Sequence, residues 1–95
     1  MAKRKQKGAR KWKEIGERLE RTRAAFDLGQ GEFAERAGLK QNTYNQYETG
    51  SKRASLDNAI ALCKAYDLTL DWIYLGEPSG LPYGLAHKLA VLKKS

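Results

Sequence analysis

The chain has one cysteine, Cys63, in 95 residues. A lone thiol closes no internal disulfide, so no oxidising compartment is implied. The one histidine, His87, lies far along the chain from that cysteine, and no metal-ligand set can be drawn from the pair. Valine, isoleucine and threonine number one, three and four. That is a poor supply for sheet strands. No run approaches the roughly 20 apolar residues of a membrane span. The first residues lack the apolar stretch of a secretory signal, so a cytoplasmic protein without membrane contact is expected. No phosphate loop, nucleophile motif or paired-carboxylate site is present. Asp67 and Asp71 are four apart, but they flank a helix start, where capping accounts for them better than acid–base chemistry. Neither catalysis nor a cofactor is expected.

What the chain does have is alanine, leucine, glutamate, lysine and arginine, which favour helices. Its length suits one domain, and its 41% hydrophobic content suits one modest core. The net charge is +7, unevenly spread. Residues 1–11 carry Lys3, Arg4, Lys5, Lys7, Arg10 and Lys11 and no acid. Residues 12–80 hold nine bases against eleven acids, and residues 81–95 add Lys88, Lys93 and Lys94. A basic arm on a nearly balanced globule is suited to holding phosphates. A solvated leader that only aids solubility is the plainer reading of the same residues.

The apolar periodicity predicts where helices lie. Trp12, Ile15, Leu19 and Phe26, with Thr22 between them, make one stripe over a helix at 12–26. Asp27, Leu28 and Gly29 break it. A second helix, 30–37, turns Phe33, Ala34 and Ala37 inward and stops at Gly38. A third, 41–48, stops at Gly50. Ser55 is a good N-cap for a fourth, 56–66, with Leu56, Ala59, Ile60, Leu62, Cys63 and Tyr66 on its buried side. Thr69 caps a fifth, 70–75, that ends at Gly76. Residues 77–82 contain Gly80 and both prolines, Pro78 and Pro82, and read as a linker or turn. Leu85, Leu89 and Leu92 beyond it allow a sixth helix. The organisation is therefore a basic arm (1–11), an all-α domain of five helices (12–76), and a linker with a C-terminal tail (77–95).

The third helix carries the distinctive pattern. With about 100° per residue and Gln41 at zero, Asn45 lies near 40°, Asn42 near 100° and Gln46 near 140°. Tyr47 and Tyr44 lie near 240° and 300° on the same scale. Four carboxamides share one arc and two aromatic rings share the other. A carboxamide has a donor and an acceptor side by side. It matches the N6 and N7 edge of adenine in the major groove of duplex DNA. Asparagine is a mediocre helix former, so helix stability does not explain two of them here. An ordinary solvated face is the alternative.

Two short helices joined by a tight turn with glycine form a helix-turn-helix. The stretch Leu19 to Gly50 resembles the Cro/lambda-repressor, or XRE, type of that motif. The matching residues are Arg23, Leu28-Gly29-Gln30, Phe33-Ala34, Gly38-Leu39 and Glu48-Thr49-Gly50. A looser similarity runs on to Asp71-Trp72-Ile73-Tyr74-Leu75-Gly76. The resemblance implies a lambda-repressor-like domain that binds double-stranded DNA and regulates transcription, as a repressor. It implies base reading by Gln41, Asn42 and Gln46, with Asn45 on the same arc. It implies a phosphate contact and a bracing role for Gln30, and a phosphate or thymine-methyl contact for Thr43. Thr49, Lys52 and Arg53 fall where the family grips the backbone, and Arg23 and Glu48 match its internal ion pair. Gly29 and Lys40 depart from the usual hydroxyl caps, and Lys40 is expected to reach a phosphate instead. Tyr44 is larger than the aliphatic residue common at its position. It is expected to bury its ring and to place its hydroxyl near the surface. Lys3, Arg4 and Lys5 in the arm are expected to add phosphate contacts.

Trp72, Tyr74 and Leu75 are more apolar surface than a short fifth helix needs to bury. Part of it is read as the contact of a two-fold homodimer, with core packing alone as the alternative. The 77–95 tail could serve that contact or bind a protein partner. In the latter case the chain would resemble an antitoxin whose DNA binding is autoregulatory. A non-specific nucleic-acid binder working through its basic ends is the remaining alternative. Cys63 is read as a small core residue and His87 as a surface residue.

Overall fold

The computed structural model describes residues 11–94. Lys3, Arg4 and Lys5 lie outside the described residues. Among the described residues there are helices and no strands. The order is α1 (Lys13–Ala25), α2 (Gln30–Arg36), α3 (Gln41–Thr49), α4 (Leu56–Tyr66), a π-helical turn (Asp71–Leu75) and α5 (Tyr83–Lys94). The all-α class and the five expected segments are met within a residue or two, and the sixth helix forms. The 70–75 segment differs in winding: it is a π turn that starts at Asp71.

The turn between α2 and α3 shows how sequence becomes geometry. Gly38 has φ +83°, a left-handed conformation open to glycine. Its N–H donates to the Glu35 carbonyl (2.9 Å) while the Leu39 N–H donates to that of Ala34 (2.9 Å). This is a Schellman closure, and it turns Leu39 into the core. Ser55 caps α4 by accepting from the Asn58 N–H (3.2 Å), and Thr69 Oγ1 accepts from the Trp72 N–H (2.9 Å).

An aromatic cluster fills the centre. Phe33 stacks on Tyr66 with centroids 4.2 Å apart and planes 8° from parallel. The Tyr66 hydroxyl donates to the Phe33 carbonyl (2.7 Å). Tyr44 lies against Phe33 at 5.3 Å. Its ring is fully buried, as expected, but its hydroxyl is not near the surface. It donates to the Leu19 carbonyl inside the core (3.4 Å). Burial pushes the phenol far above its ordinary pKa.

The fourth helix buries a narrower face than its periodicity suggests. Ala59, Leu62 and Tyr66 point inward, whereas Leu56 is 58% and Ile60 36% exposed. They lie roughly 90° and 130° round the helix from the centre of that face. Cys63, at the margin, is half-buried, and burial raises its thiol pKa. At the other end of the chain, α5 packs on α1. Leu89 and Leu81 are buried there. Core packing thus crosses the boundary that the sequence suggests at residue 76.

Candidate nucleic-acid interface

α3 is held against α1 at very short range. A Cβ at Gly16 would lie 2.3 Å from the Glu48 carbonyl oxygen and 2.6 Å from that of Tyr47. Only glycine allows this crossing. Tyr44 and Tyr47 face inward from α3 and are buried. The Tyr47 hydroxyl accepts from Asn58 Nδ2 (2.8 Å), which ties α3 to α4. With the aromatic arc fixed inside, the amide arc must face out. Gln41, Asn42 and Asn45 are exposed, and Gln46 and Thr43 are half-buried. No acidic residue occupies the first turn of α3.

The rim is basic and polar. Lys40, Thr49, Lys52 and Arg53 are exposed around the two ends of α3. Lys40 makes no side-chain cap, so the first N–H groups of α3 have no side-chain acceptor. After α3, Gly50 takes φ +83°. The Gln46 carbonyl then accepts from the N–H groups of Ser51 (3.1 Å) and Lys52 (3.2 Å). That doubled contact holds the 50–53 loop beside the amide face. Trp12 contributes something its place on the apolar stripe does not reveal. Its N–H donates to the Gly50 carbonyl (3.0 Å), and Arg53 sits over its ring, 5.1 Å from the centroid. Lys11 approaches the same ring at 5.2 Å. The residues leading from the N-terminal arm therefore meet the body next to this loop.

Arg23 and Glu48 form the expected pair. Arg23 Nε donates to Glu48 Oε2 (2.7 Å) and Nη2 to Oε1 (3.1 Å). Nη1 donates to the Leu28 carbonyl (3.0 Å), so one guanidinium ties α1 to α3 and to the start of α2. Burial pushes the Glu48 carboxyl up, but the polar groups around it, Arg23 first and then Tyr44 and Gln30, outweigh it and hold the group below the usual carboxylate range. Gln30 turns its side-chain amide toward α3. Its Nε2 donates to Glu48 Oε1 (2.9 Å) and to Asn45 Oδ1 (3.0 Å). Both side-chain amide hydrogens are thus used within the protein. The bracing of α3 is what the geometry displays.

Trp72, Tyr74 and Leu75 do not form one exposed patch. Trp72 is 5% exposed, with its indole N–H donating to Thr22 Oγ1 (2.9 Å) and its carbonyl accepting from Arg18 Nε (2.9 Å). It is a core residue, because both of its polar groups and its ring find partners in the same chain. Tyr74 is half-buried, its hydroxyl donating to the Ala54 carbonyl (2.7 Å). Leu75 alone is open, at 75% exposure. Among the described residues no group of acidic, histidine or cysteine side chains could hold a metal ion, and no helix is long and apolar enough to cross a membrane.

A short helix, a tight glycine turn and a second helix with a solvent-facing polar arc define a helix-turn-helix protein. A family model described as helix-turn-helix matches residues 19–73, and the chain belongs to that family, in the XRE type its sequence resembles. Among curated proteins it is similar to the uncharacterized HTH-type transcriptional regulator YobD of Bacillus subtilis (strain 168), 35% identical over 57 residues. That stretch covers 60% of this chain and 51% of the relative, so the match spans about half the relative's length. No solved structure matches the chain.

Proposed function

We propose that this chain is a sequence-specific regulator of transcription that binds duplex DNA as a homodimer and acts as a repressor in the cytoplasm. The observation that carries the reading is the amide arc of α3. Gln41, Asn42 and Gln46 are accessible side chains with a donor and an acceptor each, on a helix narrow enough for the major groove. Helix-turn-helix proteins dock their second helix there. Lys40, Thr43, Thr49, Lys52 and Arg53 lie on α3 or flank its two ends and are assigned to phosphates, and the arm residues Lys3, Arg4 and Lys5 add positive charge. Phosphate contacts set register and affinity, while base contacts set sequence. The relative's description as a transcriptional regulator points the same way. Of the three residues assigned to a two-fold contact, Leu75 is the one that is exposed. No step of this function requires a cofactor or a reaction.

Selection of bound sites from random duplex DNA tests the reading. The expected product is a palindrome whose half-sites lie about one helical turn apart, roughly 34–36 Å. A pool that stays random after repeated rounds would overturn sequence-specific reading. A single asymmetric site would overturn the dimer alone.

A further inference from the structure

We infer that Asn45 reads a hydrogen-bond acceptor on one base of the site and rejects cytosine there, because Gln30 holds its amide in a single orientation. The inference rests on the DNA-reading function proposed above. It concerns how one residue of that face is set.

A guanidinium can only donate and a carboxylate can only accept. Arg23 is bidentate on Glu48, so Glu48 is ionised and offers only acceptors. The Gln30 atom 2.9 Å from Glu48 Oε1 must therefore be the amide nitrogen. That nitrogen also lies 3.0 Å from an Asn45 side-chain oxygen, and its second hydrogen needs an acceptor. The atom facing it is thus Oδ1, and Nδ2 is turned the other way. An isolated carboxamide flips at little cost and offers either end. Asn45 cannot do so without leaving Gln30 Nε2 facing an N–H group. Arg23, Glu48 and Gln30 thus pass one polarity outward from α1 to the reading face. Gln41 and Asn42 have no comparable tether among the described hydrogen bonds, apart from the packing of Gln41 near Gly31.

An N–H pointing at the major groove suits guanine N7 or O6, adenine N7 and thymine O4. Cytosine offers the N4 amino group, a donor. Asn45 is therefore a specificity-determining residue, and Gln30 is a positioning residue that acts through it.

The test is site selection with three proteins: wild type, Gln30→Ala and Asn45→Asp. Wild type should disfavour cytosine by about tenfold at one position of each half-site. Gln30→Ala should admit cytosine at that position alone and keep every other preference. Asn45→Asp keeps the oxygen facing Gln30 and replaces the outward N–H by an acceptor, so it should favour cytosine there. Thermal melting of each variant establishes that it is folded. A Gln30→Ala pool identical to wild type, or loosened equally at all positions, would overturn the inference while leaving the DNA-reading function intact. An Asn45→Asp pool with the wild-type preference would do the same. A wild-type pool with no preferred sequence would overturn both.

Discussion

Replacing Trp72 by alanine is expected to lower the unfolding free energy by about 3–5 kcal/mol. Small domains have only about 5–15 kcal/mol in total, so the variant should be near its folding threshold. Three losses combine. The ring is 5% exposed and its removal leaves a cavity beneath the π turn. Its N–H no longer donates to Thr22, whose hydroxyl also donates to the Arg18 carbonyl (2.7 Å). The Arg18 and Arg21 guanidiniums, 5.9 and 5.6 Å from the ring centroid, lose their aromatic neighbour. Urea denaturation at several protein concentrations checks this. A core role predicts a lower midpoint with the same shift at every concentration. A loss under about 1 kcal/mol would contradict the core role, and a loss that grows with concentration and vanishes at low concentration would place Trp72 at a subunit contact instead.

Glu48→Ala should cost about 2–3 kcal/mol, less than a fully buried pair because Arg23 keeps some solvent contact. The side chains of Arg23 and Glu48 are 19% and 5% exposed. The variant leaves a guanidinium without its carboxylate and removes one of the two hydrogen bonds that tie Gln30 to α3. The pair also makes stability depend on pH. The Glu48 carboxyl has a lower pKa folded than unfolded, since hydrogen bonds to its ionised form exceed the cost of its burial. The unfolded state then binds the proton more readily. Its contribution is complete above the ordinary value of 4.5 and is lost as pH falls through the lower folded value. Denaturation at pH 7 and pH 3 should show the variant and wild type converging in acid. A gap that stays constant would mean Glu48 is not the group responsible.

The main frame of the fold is legible because it rests on local chemistry. Gly38, Gly50 and Gly76 each take a left-handed φ where the chain must stop a helix. Ser55 and Thr69 cap because hydroxyls reach the N–H three residues on. The angular split on α3 is also local: a 100° step puts the tyrosines opposite the amides, and the core takes the tyrosines. What periodicity cannot show is which apolar residue finds a neighbour. Leu56 and Ile60 look like core on α4, yet among the described residues no element covers that flank. Trp72 looks like surplus surface, yet Thr22 and Arg18 on α1 supply its partners from some 50 residues away in sequence. The same limit applies at the interface. The exposure of Gln41 and Asn42 follows from the helix itself. The use of the Gln30 amide inside the protein depends on where α2 sits against α3. The stacking of Arg53 on Trp12 depends on the path of the 50–53 loop. Long-range contacts of this kind leave no spacing to read.

The most direct test of the amide face is Gln46→Ala, measured on a selected site and on every single-base variant of it. Groove reading predicts that wild type and variant differ by about 1–3 kcal/mol at one base pair per half-site, and that discrimination at the rest is unchanged. A loss spread evenly over all the sequences, or no loss on any of them, would contradict it.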